Sequence, residues 1–512
     1  MDKTSRTKNS LLNSLAGMIS YAFVMIATLA TRTMFARYLG EELLGLNTLF
    51  TSVLQILQIT ELGIGNAIIV FLYEPVKYAD KEKTKALIRL YKRVYNIFAF
   101  ALLVIGIIVQ FTIIPRIVNV KTVDMVTVQR YYSLFLLGIV SSYVFAYSKS
   151  IFYAEQKVRV ISIVNAAQKT IISVFQVLVI FCFENYDLYL ILLIVGYLGE
   201  NLICHYTVMK RHSYLREKCS YKISEKDKKD ILNLIKSIFT VKIADKILGQ
   251  SDSLIINQMI DIITLGMYGN YHTIFNACQG LYTPIGAALT SSYGNLSVGA
   301  SSQQRYEAYR KSYVMFHFIA VYFCVLFFAL IQDFIFILYG EKYVFKNSLY
   351  LVMTIYLYVT LVKTIYYSYQ NSMGLHRLDQ KQTVLQVPFN IIVSIFFAKW
   401  LGITGVIWGT IVSILIFSIG FKGKFLYEIA FGQKASKYYI KTFKDALLTS
   451  GVFILAYLLS NLVLVTTVVG FLVKSVLLSF GLVCICIAVF SIDSEFRRSS
   501  YFLMQKIRRV SA

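Results

Sequence analysis

Residues 236–258 read KSIFTVKIADKILGQSDSLIINQ. The stretch is long enough to cross a bilayer, whose hydrocarbon takes about 20 helical residues. Yet it carries Lys242, Asp245, Lys246 and Asp252. At about 100° per residue, these four share one helical face with Gly249, Gln250, Ser253 and Asn257, while Ile243, Ala244, Ile247, Leu248, Leu254 and Ile255 share the other. A charge at the middle of a membrane helix costs at least ~2.5 kcal/mol on insertion scales. Such charges persist where they face a bundle interior or a water-filled path. The stretch therefore predicts a membrane bundle with a polar interior, which the rest of the chain must supply.

The chain has 512 residues, 57% hydrophobic and 15% charged, with mean hydropathy +0.63. A soluble domain carries about 25% charged residues. Apolar runs of membrane-spanning length recur from one end to the other, as in a polytopic membrane protein. The first run follows a basic start and lacks a small-residue cleavage site, which predicts a retained helix. The net charge of +24 does not mark a nucleic-acid binder, because the basic residues sit in short loops between apolar runs. The seven cysteines fall mostly in apolar segments without a CxxC pair, which reads as packing rather than a disulfide or zinc framework.

Apolar length predicts fourteen helices, beginning near residues 10, 43, 92, 131, 158, 187, 232, 264, 312, 347, 382, 403, 445 and 469. The fold class is all-α. With the N-terminus inside and the loops alternating, inner segments hold 37 of the 51 Lys and Arg and outer segments 8. That asymmetry predicts an even helix count with both termini in the cytoplasm. The six remaining cations are within helices: Lys169, Lys236, Lys242, Lys246, Lys363 and Lys474.

A weak internal repeat divides the chain. Arg37-Tyr-Leu-Gly-Glu-Glu-Leu-Leu-Gly45 turns the first helix into the second, and Asp261-Ile-Ile-Thr-Leu-Gly266-Met-Tyr-Gly turns the seventh into the eighth. Gly45 and Gly266 are 221 positions apart; Tyr147-Ser148 and Tyr367-Ser368 are 220 apart. The expected organisation is two pseudo-symmetric six-helix lobes, 1–230 and 231–425, followed by two further helices in 426–512. Transporters built from duplicated lobes place their path where the repeats meet.

Polar stripes on helices one, two, seven and eight mark them as cavity walls. Helix two carries Thr48, Thr51, Gln55, Gln58, Gly65 and Asn66 on one face, with Glu61 at its margin. Ser, Thr and Asn in membrane helices equally serve packing, and Arg32, near a helix end, has snorkelling as a second reading. The candidate cargo residues are Lys242, Lys246, Arg32, Lys169, Lys363, Gln250, Asn257, Gln55 and Gln58. Lys236 lies off the polar face. A cavity with more Lys and Arg than acid suits an anionic cargo such as a diphosphate. Asp245, Asp252 and Glu61 are candidates for uptake of Na⁺ or H⁺, and for Asp245 and Asp252 charge balance for the lysines is the second open role. No cofactor or metal is expected, and coupling to an ion gradient or the membrane potential is the expected energy source.

The stretch RTMFARYLGEELLGLNTLFTSVLQILQITELGIGNA, residues 32–67, resembles the first hairpin of polysaccharide flippases in the multidrug/oligosaccharidyl-lipid/polysaccharide exporter superfamily. The matching residues are Arg37, Leu39, Gly40, Glu42 and Gly45, then Leu62, Gly63, Ile64, Gly65 and Ala67. Asp252–Tyr268 is similar to the family's Asp-x-x-Ile-Ile stretch, and Gly402-Ile-Thr-Gly405-Val-Ile-Trp-Gly409 to the start of its twelfth helix. The resemblance implies two six-helix lobes around a cavity, and translocation of a polyprenyl-diphosphate-linked oligosaccharide by alternating access. It does not place the binding residues.

The expected function is flipping of undecaprenyl-diphosphate-linked repeat units across a bacterial cytoplasmic membrane for surface polysaccharide assembly. A polymerase and glycosyltransferases of the same pathway are the expected protein partners, beside the lipid-linked oligosaccharide and the bilayer. A lipid II flippase and a cation-coupled drug exporter are the alternatives within the superfamily. A membrane polymerase or ligase is the alternative outside it, disfavoured by short outer loops and by the lack of HExxH, GxxxxGK[ST] or Asp-x-Asp motifs.

Overall fold

A computed structural model describes the backbone of residues 3–58, 61–297, 299–345, 348–373, 375, 380–460 and 467–501. Among these residues every regular element is a helix and there is no strand. The helices are α1 (Lys3–Tyr38), α2 (Glu41–Leu57), α3 (Glu61–Lys77), α4 (Lys81–Thr112), α5 (Ile114–Ile117), α6 (Met125–Ser141), α7 (Lys149–Ala154), α8 (Val158–Phe183) and α9 (Tyr186–Arg211). They continue as α10 (Glu225–Met259), α11 (Ile262–Ser297), α12 (Ser302–Tyr339), α13 (Leu349–Ser372), α14 (Gln380–Leu401), α15 (Ile403–Ser413), α16 (Lys422–Phe425), α17 (Ala435–Ser460) and α18 (Val468–Phe490).

A helical segment stands at each of the fourteen expected places once α2 is taken with α3, α6 with α7, and 403–430 as one. Among the described residues, eleven segments are long and apolar enough to cross a membrane. The pair α2–α3, α10 and α11 are not among them. These are the second, seventh and eighth segments, whose polar faces the sequence singled out.

Several helices start earlier than apolar length alone suggested. Asp80 caps α4 by accepting from the Lys83 N–H at 2.9 Å, so that helix begins at Lys81 rather than near 92. Ser224 caps α10 through the Asp227 N–H at 3.0 Å, ahead of the expected start near 232. An N-cap oxygen satisfies an otherwise orphan N–H, so polar sequence joins the helix before its apolar span begins.

The chain divides into two units, 1–269 and 270–512. The expected boundary at 230/231 does not coincide with this division, because α10 packs on α2 and α3 within the first unit. A repeat records ancestry and symmetry, whereas a unit records packing.

Within the first unit α1 packs along α8, and α9 packs on α6 and α8. The turn from α1 into α2 shows what the Arg37–Gly45 pattern does. Gly40 holds φ +85°, a left-handed turn that suits glycine. Glu42 accepts the backbone N–H groups of Lys121 (2.6 Å) and Thr122 (2.8 Å), fixing the loop before α6. Gly45 meets the backbone of Ile262, and a Cβ on Gly266 would lie 2.9 Å from Gly45 N. Close backbone approach of this kind is what small residues permit between membrane helices.

Within the second unit α14 packs on α15 along a buried polar seam. Asn390 Nδ2 donates to Thr410 Oγ1 at 2.9 Å and Ser394 Oγ to the Val406 carbonyl at 3.1 Å. Gly409 permits the approach, since a Cβ there would lie 2.5 Å from Ser394 Cα. Residues 414–421 and 426–430 beyond α15 are π-helical, a departure that α-period reading does not anticipate. The pair α17–α18 is fastened to α12: Lys474 Nζ meets Asp333 Oδ2 at 2.8 Å, and Tyr313 donates to Asp445 Oδ2 at 3.0 Å.

Candidate functional site

The first unit contains a cavity of about 590 Å³. Its walls come from the end of α2, from α3, α4, α7, α8, α9 and α10, and from the break between α6 and α7. Two cations line it, Lys149 and Lys242, against one acid, Glu200. Tyr91, Tyr95, Tyr153 and Tyr197 supply aromatic faces, and Gln58, Ser142, Ser150 and Asn201 supply polar groups.

The break in the fourth membrane segment builds one side of this site. Helix α6 ends at Ser141, and Phe145 takes a left-handed φ of +61°, which a bulky side chain adopts only under constraint. The freed Ser142 carbonyl accepts from Asn201 Nδ2 at 2.7 Å. Ser148 Oγ lies 2.6 Å from His205 Nδ1. Both ties reach α9: the Asn201 bond satisfies a backbone carbonyl freed by the break, and the His205 contact anchors the Ser148 side chain.

The break sets Lys149 at the first position of α7. Its Nζ lies 2.6 Å from Glu200 Oε1. Asn165 Nδ2 of α8 donates to Glu200 Oε2 at 2.9 Å, so both carboxylate oxygens have partners. On the facing side Tyr91 donates to Tyr95 at 3.1 Å, with their rings edge to face. A Cβ on Gly65 would meet the Tyr91 hydroxyl at 2.6 Å, so the glycine leaves room for that ring.

The structure gathers the expected site residues only in part. Lys242 and Gln58 line the cavity. Lys246, one turn from Lys242, is half-buried and is not among the lining residues. Gln250 Nε2 donates to Gln55 Oε1 at 2.9 Å, joining α10 to α2. Asn257 Nδ2 donates to the Ile117 carbonyl at 2.7 Å, a tie to α5. Arg32 Nη2 reaches Thr48 Oγ1 (3.2 Å) and the Gly266 carbonyl (3.3 Å), beside the glycine contact. Lys169 is half-buried on α8 and is not a lining residue. Lys363 belongs to α13 in the second unit. Asp252 is buried, whereas Asp245 is half-buried and makes no ion pair within 4 Å among the described residues. The side chain of Glu61 lies outside the described residues.

Reading the sequence missed Lys149, Glu200, Asn165 and Asn201. Lys149 counted as one basic residue of a short loop, and Glu200 as an acid near a helix end. Two signals marked the region: Tyr147-Ser148 shares the repeat register, and Glu200-Asn201 interrupts an apolar run.

A many-helix membrane bundle enclosing a polar, cation-lined cavity has the build of a membrane transporter. A family model described as polysaccharide biosynthesis protein matches residues 7–290, more than half of the 512-residue chain, and the protein belongs to that family. Among curated proteins no sequence matches significantly. Solved structures share the fold. One is the lipid II flippase MurJ in an inward closed conformation, with TM-score 0.66 and 14% identity, over 94% of this chain and 98% of that one. Another is an inward-facing multidrug resistance MATE family transporter of the MOP superfamily, with TM-score 0.65 and 13% identity, over 80% of this chain and 96% of the other. A third, a MOP superfamily transporter from Pyrococcus furiosus, has TM-score 0.53 and 14% identity, over 80% of this chain and 93% of that one. At such identity the likeness establishes the fold and not the cargo.

Proposed function

We propose that this protein moves polyprenyl-diphosphate-linked oligosaccharide repeat units from the inner to the outer leaflet of a bacterial cytoplasmic membrane, by alternating access. The observation that supports this reading most is the cavity lining. It has two lysines against one acid, and that acid is already engaged by Lys149. Ammonium groups bind phosphate as point charges, and the tyrosines offer stacking faces for sugars. The polyprenyl tail stays in lipid, where it loses no hydrophobic stabilisation.

In this reading Lys242 meets the diphosphate and Lys246 adds to the local positive field. Arg32, Lys169, Lys363, Gln55, Gln58, Gln250 and Asn257 line or support the path as the two lobes, 1–230 and 231–425, exchange access. Asp245, Asp252 and Glu61 are the proposed coupling acids for Na⁺ or H⁺. Both termini are cytoplasmic, as the Lys and Arg asymmetry favours. The protein acts as a transporter rather than a polymerase or ligase, and its repeat units come from glycosyltransferases and pass to a polymerase.

The test is surface polysaccharide in cells carrying Lys242→Ala with Lys246→Ala. The reading expects loss of the polymer while the variant stays in the membrane at normal level. Unaltered polymer would remove both lysines from the path. Comparing repeat-unit lipid, lipid II and a cationic drug as cargoes separates this reading from the other two transport readings.

A further inference from the structure

We infer that Lys149 is a second phosphate ligand of the cargo path, held by Glu200 until the cargo diphosphate displaces the carboxylate. The inference rests on the cargo class proposed above and adds a residue and an exchange step to it.

Charge makes the case for a second ligand. A diphosphate ester carries two or more negative charges, and Lys242 offers one positive charge. Among the described residues Lys242 has no ion pair within 4 Å. Lys149 is the other cation lining the same cavity. An ammonium group has three N–H donors, and the described partner of Lys149 is a single oxygen, Glu200 Oε1 at 2.6 Å. Its side chain is 21% exposed against 9% for Glu200. The carboxylate therefore sits in the wall, and the ammonium sits on its cavity side with donors to spare.

The exchange follows from how Glu200 is held. Its second oxygen accepts from Asn165 Nδ2 at 2.9 Å, a bond that does not involve Lys149. Loss of the lysine leaves the carboxylate hydrogen-bonded rather than bare. A phosphate of higher charge competes with the carboxylate for the same ammonium, and the contest is strongest where protein walls lower the dielectric. When the pair re-forms, it expels the phosphate, so Glu200 serves as an internal competitor that permits release. A cavity with two free lysines and no acid would hold a diphosphate too firmly to turn over.

The position of Lys149 suits such movement. It follows the 142–148 break, where Asn201 takes the Ser142 carbonyl and His205 meets the Ser148 hydroxyl. The repeat gives a second argument. In the register that pairs Tyr147-Ser148 with Tyr367-Ser368, the partner of Lys149 is Tyr369, inside the continuous helix α13. The lysine and the break thus belong to one half of the duplication. They are not a requirement of the shared frame.

The experiment measures binding of farnesyl diphosphate to the purified full-length protein in detergent, beside flipping of repeat-unit lipid in vesicles. Lys149→Ala is expected to weaken binding 10-fold or more, with Lys149→Arg recovering most of it. Glu200→Gln keeps the shape and the Asn165 contact. It is expected to tighten binding about 5-fold while slowing flipping at least 5-fold, because release is impaired. A purely structural ion pair predicts the opposite sign, since its loss loosens the site and weakens binding. Weakened or unchanged binding in Glu200→Gln, with the wild-type protein binding and flipping normally, overturns the exchange alone. A wild-type protein that neither binds the probe nor flips the lipid overturns the cargo assignment and the exchange with it.

Discussion

Gly45 and Gly266, separated by 221 positions, lie backbone to backbone: a Cβ on Gly266 would fall 2.9 Å from Gly45 N and 3.2 Å from its Cα. The two residues occupy the same place in the internal repeat, at the start of α2 and of α11 respectively.

Gly266→Ala and Gly45→Ala should therefore destabilise the protein, by about 1–3 kcal/mol as overpacking does, and more for valine. Thermal unfolding of the detergent-solubilised protein, followed by loss of the monodisperse peak, reads the effect. Gly17→Ala is the control, since a Cβ there meets nothing within 4 Å. Equal unfolding temperatures in all three variants would remove the glycine contact from the account.

Much of this was legible in the sequence, and the reasons are specific. Eleven of the segments followed from apolar length, since hydrocarbon thickness leaves such a helix little choice, whereas the second, seventh and eighth are more polar. The shared register of Gly45 and Gly266 followed from self-similarity, whereas their close approach did not. The polar face of residues 236–258 was visible because helical periodicity sorts charges to one side, and Lys242 does line the cavity. Its partners were not visible. The break at 142–148 depends on Asn201, 59 positions from Ser142, taking over a backbone carbonyl. Nothing local announces such a bond. The π-helical stretches of 414–430 are equally silent, since the same apolar residues suit an α-helix.

Lys474 illustrates the same limit. In the sequence it is one of six cations within helices, with no partner in view; in the structure it pairs with Asp333, 141 positions away, and joins α18 to α12. Asp333→Asn leaves the buried ammonium without its counter-ion and should cost about 3 kcal/mol or more. Replacing both, Asp333→Leu with Lys474→Leu, should restore most of that stability and leave transport within about 2-fold of wild type. Transport loss in the stable double variant would give the pair a role in the cycle.

A pH effect is expected on the face bearing the 155–157 turn. His212 Nε2 lies 3.0 Å from Glu155 Oε1, and Lys157 Nζ lies 3.0 Å from Oε2. The His212 bond first, aided by Lys157 and opposed by burial, holds the Glu155 carboxyl down at about 2. The folded value lies below the unfolded value of about 4.3. The latch therefore contributes fully above about pH 5 and weakens as pH falls toward 2. Amide protection at residues 212–222, the unprotected exchange rate divided by the observed rate at each pH, should fall over that window in the wild-type protein. In Glu155→Gln the protection should be low already at pH 6 and unchanged by acid. A wild-type profile without change between pH 5 and pH 3 would contradict the latch.

Lys242→Ala should reduce repeat-unit flipping by 10-fold or more with little change in thermal stability, because the residue faces the cavity and has no ion pair to lose among the described residues. Lys236→Ala, on an exposed residue of the same helix, should keep the wild-type rate. Equal rates for the two variants would detach the cavity from the cargo.

The central claim is that this protein carries a diphosphate-linked oligosaccharide across the bilayer. Its most direct measurement uses vesicles holding the purified protein and a fluorescent undecaprenyl-diphosphate oligosaccharide placed in one leaflet. Headgroup quenching from the other side reports arrival. The account predicts protein-dependent quenching that Lys242→Ala suppresses at least 10-fold. Quenching no faster than in protein-free vesicles, from a protein that is folded and correctly inserted, would contradict it.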